Sequence, residues 1–350
     1  MTIRHRRTGN IVVHAPGRVN LIGEHTDYCG GLALPMAVDM GITAVLRPQR
    51  DTASSLLELS SDTMDGTFSL HRDGAITTDT HPAWALYVAG VVNAGSRLRV
   101  PPGHLSLSST LPAEAGLSSS AALCISVALA LGADSTTIAL AQRAQRAEAA
   151  AGVTVGLLDP IAIVGSMADH ALLVDFSTLD QHAVEIPKEL EIVIVHSGVV
   201  RRLADSQYAQ RSAECAAAAA LVGPLPTASL AAVERIKDLV LRRRARHIAT
   251  ECTRVRQMEN ALSTGDLTVA GDLLLEGHAS LRDDFEVSVP AVDQLVLALS
   301  AMPGVYGARM TGGGFGGCVL AFTAPGALDL HRWPGRAWRV RPSAGARRLV

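Results

Sequence analysis

Leu105-Ser106-Leu107-Ser108-Ser109 alternates apolar and polar residues, Leu111-Pro112 breaks the run, and Ser118 to Leu131 continues as an alanine-rich apolar segment. The period of two is that of a half-buried strand, and the alanine-rich run suits a helix. Pro112-Ala113-Glu114-Ala115-Gly116-Leu117-Ser118-Ser119-Ser120-Ala121-Ala122 is therefore a strand-to-helix loop. Such a loop aims free backbone N–H groups and the positive end of the helix dipole at one point, where an anion fits. The plainer alternative is a serine N-cap on an ordinary core helix. Three consecutive serines behind a proline and a glycine favour phosphate.

Working outward, Ile11 to Val13 and Leu32 to Leu46 are apolar runs broken by Pro16-Gly17, Pro35 and Gly41, which predicts strands flanking a loop. Thr136 to Ala151 reads as a helix, and Ala171 to Phe176 and Glu191 to His196 as strands. Long helices are expected over Arg201 to Leu221 and Ala231 to Ser263, with a turn at Gly265-Asp266. Tyr306 to Phe322 reads as a Gly-rich loop entering a strand. Polar residues and Pro187 put a soft boundary near Gln181 to Lys188. The pattern is α+β, with an N-terminal domain over residues 1–185 and a C-terminal domain over 186–350.

With 31 basic and 33 acidic residues the formal charge is -2, which offers no field for a nucleic acid or an anionic membrane. A small neutral or anionic ligand is the expected partner. The basic start of the chain is not followed by an apolar run of signal-peptide or membrane-spanning length, so the expected address is the cytoplasm. A monomer is the default expectation. The five cysteines are scattered and lack zinc-site spacing, so reduced thiols are expected. No G-x-x-x-x-G-K-[ST] occurs, and protein-kinase signatures are absent too, which argues against a P-loop or protein-kinase fold.

Glu24, His25 and Asp27 place three polar side chains in four positions between Gly23 and Gly30-Gly31, a pattern suited to paired hydrogen bonds with sugar hydroxyls. A charged surface turn is the alternative. Arg18 could balance their charge or clamp a phosphate. Asp159, among apolar residues, must find a partner, or else caps the helix that Pro160 begins. Phosphoryl transfer calls for Mg²⁺ on one or two oxygen ligands, for which Ser120 and Glu148 are candidates, although Glu148 alone reads as a surface helix residue. Thr311 to Cys318, with five glycines, either approaches a ligand closely or makes a tight hairpin.

Gly17-Arg18-Val19-Asn20-Leu21-Ile22-Gly23-Glu24-His25-Thr26-Asp27-Tyr28, the Gly116 to Ala122 loop and Gly312 to Cys318 together resemble the galactokinases, within the GHMP family of small-molecule kinases. The resemblance runs through most of the chain. It implies a two-domain fold with the active site in the cleft between domains, and ATP-dependent phosphorylation of D-galactose at its anomeric hydroxyl. Asp159 is then the catalytic base, with Arg18 stabilising charge in the transition state. Glu24, His25, Thr26, Asp27, Gly156 and Tyr208 are implied to bind the sugar. Glu114, Ala115, Gly116, Leu117, Ser118, Ser119 and Ser120, with Gly313 and Gly314, are implied to bind ATP, and Ser120 and Glu148 to hold Mg²⁺. Pro160 stands where the family pattern has glutamine, and the segment from Glu148 to Asp159 is one residue short. A kinase for a related hexose such as N-acetylgalactosamine, and a non-catalytic galactose- and ATP-binding regulator, are the competing expectations.

Overall fold

The structure is a computed structural model that describes residues 9–49, 55–96, 98–113, 115–133, 136–153, 155–200 and 204–349. In chain order, β1 (Ile11–Asn20), β2 (Leu32–Ala33), β3 (Pro35–Pro48), β4 (Leu57–Ser61) and β5 (Phe68–Leu70) are followed by α1 (Trp84–Asn93) and β6 (Gly103–Ser109). Then come α2 (Ser119–Ala130), α3 (Thr137–Ala150), α4 (Leu158–Gly165), β7 (His170–Asp175) and β8 (Asp180–Glu185). The later part holds β9 (Glu191–His196), α5 (Ala204–Val222), α6 (Leu230–Val233), α7 (Leu239–Thr264), α8 (Leu267–Asp283) and α9 (Pro290–Ser300). It closes with β10 (Val305–Thr311), β11 (Cys318–Thr323), β12 (Ala337–Val340) and β13 (Arg347–Arg348).

Six strands in the order β13-β1-β3-β6-β4-β5 make one sheet, and β10-β11-β9-β12 and β2-β7-β8 make two smaller ones. The pairings are antiparallel except β4 with β6, where α1 supplies the crossover that a parallel pair requires. Apolar residues of the large sheet, such as Val13, Leu105 and Leu107, share a core with Val88 of α1 and Ile125 of α2. A second core joins Ile194 and Leu320 to Ile248 and Leu274 on α7 and α8. Val19, Leu21, Ile22 and Leu117 from the first half belong to that second core, so the signature segment is packed into both halves of the chain. Strand β13 also brings the end of the chain back to β1.

Three sequence expectations are adjusted. Strand β1 does not stop at Pro16-Gly17 but continues to Asn20 through a register shift between Pro16 and Arg18, a bulge that tolerates the missing proline N–H. Gln181 to Glu185, read as part of a polar boundary, form most of β8, paired with β7. The helix expected over Ala231 to Ser263 is two helices, because Asp238 caps α7 by accepting from the N–H groups of Val240 (2.8 Å) and Leu241 (3.0 Å). Residues 201–203, expected to start α5, lie outside the described residues. Since α7 carries Glu251, which accepts from the Gly23 N–H at 2.9 Å, Asp238→Ala should lower unfolding stability by about 1 kcal/mol, read as a shift in denaturation midpoint without a change in slope.

Candidate active site

Strand β1 delivers Arg18 to the start of α2. An added Cβ on Gly17 would lie 2.7 Å from the Leu117 carbonyl oxygen, so only glycine lets the strand come this close to the loop. The contact is fixed by the Arg18 N–H, which donates to that carbonyl at 3.1 Å. The guanidinium then forks. Nη1 donates to the Gly116 carbonyl at 2.8 Å, while Nε donates to Asp159 Oδ1 at 2.6 Å and Nη2 to Asp159 Oδ2. Asp159 also accepts from the Ser118 hydroxyl, and about 25% of its side chain is exposed. This is a bidentate arginine–carboxylate pair tied directly to a loop with the shape of a phosphate cradle.

Asp159 is not the helix cap allowed for above. Leu157 occupies the N-cap of α4, and Asp159 lies within the first turn, where the helix dipole favours a carboxylate. Pro160 follows in the same turn, where backbone N–H groups have no intrahelical acceptor, so its ring removes no helix hydrogen bond.

Below the loop, Ser120 donates to Glu148 Oε1 at 2.6 Å. Glu148 is 2% exposed, a correction to its reading as a surface residue, because α3 packs against α2 on this side. Burial pushes its carboxyl up to about 7, against the hydrogen bond from Ser120. Its Oε2 is buried without a protein partner. Among the described residues no three His, Cys, Asp or Glu side chains gather as a complete cage. One buried carboxylate with a vacant oxygen and one hydroxyl nevertheless fit Mg²⁺, which keeps waters and shares phosphate oxygens rather than demanding an all-protein shell.

On the other side of Arg18 and Asp159 lies a pocket bordered also by Glu24, His25, Asp27, Gly156 and Tyr208. The N–H of Gly312 donates to Glu24 Oε1 at 3.1 Å and Arg309 donates to Oε2. Burial raises the Glu24 carboxyl to about 7, with Arg309 opposing the rise. The Tyr28 hydroxyl and His25 Nδ1 are 3.0 Å apart, and the imidazole packs on Phe285 with its centroid 4.7 Å away. Burial raises Asp27 to about 6, helped by the nearby Asp159 charge. A Cβ on Gly156 would fall 1.7 Å from Asp27 Oδ2, so a larger residue there would displace the Asp27 carboxyl.

Behind this wall stands a cluster that sequence reading missed. Arg309 of β10, fully buried, joins Glu24 to Glu251 of α7 (3.1 Å), and Glu251 also accepts from the Gly23 N–H (2.9 Å) and Arg254 Nε (2.8 Å). Burial works against the Glu251 charge, but Arg309 and Arg254 hold it well below the ordinary carboxylate range. Its members are scattered from residue 23 to residue 309, so no local spacing could have revealed it.

Other expected residues separate. A second pocket is lined by Ala115, Gly116, Leu117, Ser118, Ser119 and Ser120 and shares Arg18 and Asp159 with the first. Glu114 lies outside the described residues. Thr26 leaves the sugar set. It is fully buried, and its hydroxyl is spent on the carbonyls of Gly23 (3.0 Å) and Leu32 (2.7 Å). Of the two glycines expected at ATP, Gly313 borders the first pocket, with Glu24 and Asp27, instead, and Gly314 sits where a Cβ would meet the Val287 carbonyl at 2.5 Å. Gly317 of the same run does reach the second pocket, along the serine-rich loop.

Residues 4–48 match the galactokinase galactose-binding signature, 86–166 the GHMP kinase N-terminal domain and 258–330 the GHMP kinase C-terminal domain. The chain is 41% identical to the galactokinase of Homo sapiens over 91% of its own length and 86% of that protein. The chain belongs to the galactokinases. It is likewise 42% identical to the galactokinase of Bos taurus, over 89% of this chain and 83% of that one. The crystal structure of Lactococcus lactis galactokinase complexed with galactose superposes with a TM-score of 0.85 at 30% identity, covering 97% of this chain and 95% of that one. Methanococcus jannaschii mevalonate kinase shares the fold at a TM-score of 0.67 and 18% identity, over 96% of this chain and 99% of its own.

In this galactokinase family member the raised Glu148 carboxyl makes stability depend on pH. Below about pH 4.5 folded and unfolded chains both hold its proton. Between about 4.5 and 7 only the folded chain does, so the folded state loses stability as pH rises, by about 3 kcal/mol in all. Glu148→Gln should therefore gain stability relative to the parent by up to that amount between pH 4.5 and 7, and no further above it. Urea denaturation of both proteins at pH 5 and pH 8, without nucleotide or metal, measures the difference.

Proposed function

We propose that this chain transfers the γ-phosphoryl group of ATP to the anomeric hydroxyl of D-galactose, giving galactose 1-phosphate and ADP. The observation that carries the reading is that Arg18 and Asp159 line both pockets at once, the one behind the sugar signature and the one along the serine-rich loop. A sugar in the first and the end of a nucleotide in the second would meet at this pair. We take the chain as two domains, residues 1–185 and 186–350, with the final strand returned to the first sheet.

Asp159 accepts the proton of the anomeric hydroxyl, whose oxygen bonds to the γ-phosphorus as the bond to the β-phosphate oxygen breaks and its electron pair leaves with ADP. Arg18, held on the Gly116 carbonyl, keeps the carboxylate oriented and sets a positive charge beside the transferring group. The Ser118 hydroxyl steadies the second carboxylate oxygen. Glu24, His25, Asp27 and Tyr208 hold the sugar, and the backbone at Gly156 approaches it closely. Ser120 and Glu148 are the residues that would hold Mg²⁺, which when bound neutralises charge on the nucleotide phosphates. Free cysteines and ATP dependence both suit the cytoplasm. An intact base and guanidinium favour turnover over ligand sensing.

A second acceptor class has one observation behind it. A further pocket shares Asp27, Gly156 and Tyr208 with the sugar pocket and is lined by Leu157, Phe176 and Leu179, which suits an acyl substituent. A panel of galactose, glucose, talose, galactosamine and N-acetylgalactosamine decides the acceptor, with galactose expected to give the highest kcat/KM.

Asp159→Asn should cut turnover by a factor of about 10³ or more while leaving galactose affinity within a few-fold. ADP release and calorimetric sugar binding measure the two quantities. Near-parental turnover would remove Asp159 from the role of base.

A further inference from the structure

Asn20 is the last residue of β1 and takes no part in the Arg18–Asp159 pair or the Arg309 cluster. It lies two residues beyond Arg18 past the bulge, so both side chains leave the strand on the same face. It borders the sugar-side pocket between Arg18 and Glu24 in sequence, and it is 2% exposed. Both polar atoms of its amide, Oδ1 and Nδ2, are buried and have no hydrogen-bond partner in the protein.

That arrangement is costly. A buried amide with no partner carries the full desolvation penalty of its donor and acceptor, whereas an apolar side chain of the same shape is nearly neutral. The surrounding polar groups are directed elsewhere. Arg18 is held by Asp159 and the Gly116 carbonyl, Arg309 by Glu24 and Glu251, and the Gly312 N–H by Glu24. The Thr311 hydroxyl meets the Asn20 backbone rather than its amide, donating to the carbonyl at 2.9 Å. A donor and an acceptor left together on a pocket wall suit a ligand rich in hydroxyls, each of which can give and take a hydrogen bond.

We propose that Asn20 is a specificity-determining residue whose amide is completed by the bound hexose, Nδ2 donating to a ring hydroxyl oxygen and Oδ1 accepting from that hydroxyl or its neighbour. The inference rests on the galactose reading above. It makes an unusual pairing of effects, because a residue that is unsatisfied without ligand should weaken sugar binding when replaced yet leave the empty protein no less stable.

Asn20→Leu, close to the native side chain in shape, is the test. Thermal unfolding of the ligand-free protein and calorimetric binding of galactose and of each singly deoxygenated galactose are measured for parent and variant. The expected result is an unchanged or higher Tm, galactose Kd raised about 10- to 100-fold, and loss in the variant of the parent's discrimination against one particular deoxy sugar. Galactose Kd within twofold of the parent, or a full set of deoxy penalties retained, would overturn the proposal. If leucine lowers the Tm, Asn20→Ala, which needs no added room, is held to the same binding criteria. A parent that does not bind galactose at all would overturn the galactose reading and this proposal with it, whereas a parent that binds galactose and a variant that binds it equally would overturn this proposal alone.

Discussion

The two-pronged bond between Arg18 and Asp159 is the constraint on which the site depends. Each partner reaches it from a different element, β1 and α4, and the third contact of Arg18 runs to the loop that begins α2. Three backbone segments are thereby locked in one geometry before any ligand arrives. Such preorganisation is where most of the catalytic benefit of a charged site lies, since nothing has to reorient as charge moves. The absence of a side chain at Gly17 is what permits the approach of strand to loop, and hence the bond.

A second set of charges holds the signature turn in place. Arg309, Arg254, Glu251 and Glu24 balance two positive against two negative groups in the interior. Burying them is expensive, and a well-packed apolar substitute would often be as stable. Their value here is positional, because the Gly23 N–H and the Gly312 N–H are hydrogen-bonded to the same carboxylates. The signature turn, α7 and the glycine-rich run are thus fixed to one another. Glu24 stands at both duties, accepting from Arg309 and the Gly312 N–H while it borders the pocket with acceptor sites to spare.

Much of the fold was legible because its signals are local. The alternation of Leu105 to Ser109 and the alanine-rich run after Ser118 gave β6 and α2, and the glycine-rich run led into β11 as expected. The Arg18 and Asp159 partnership came only from the resemblance, because no spacing along the chain links residues 141 positions apart. What stayed hidden depends on tertiary packing. The burial of Glu148 follows from α2 covering α3, and the Arg309–Glu251 pair from β10 meeting α7. Thr26 is implied only by the resemblance, while its hydroxyl donates to the backbone carbonyls of Gly23 and Leu32. Glycine carries no label for its purpose, so Gly313 and Gly314 could be told apart only by what lies opposite each.

On the proposed mechanism Arg18 and Asp159 act as a single unit. A double-mutant cycle on kcat/KM with galactose and MgATP, using Arg18→Ala, Asp159→Ala and the double variant, measures this coupling. Strong non-additivity is expected, the double variant being no more than about tenfold worse than the more damaged single. Losses that multiply across the cycle would show two independent contributions and contradict it.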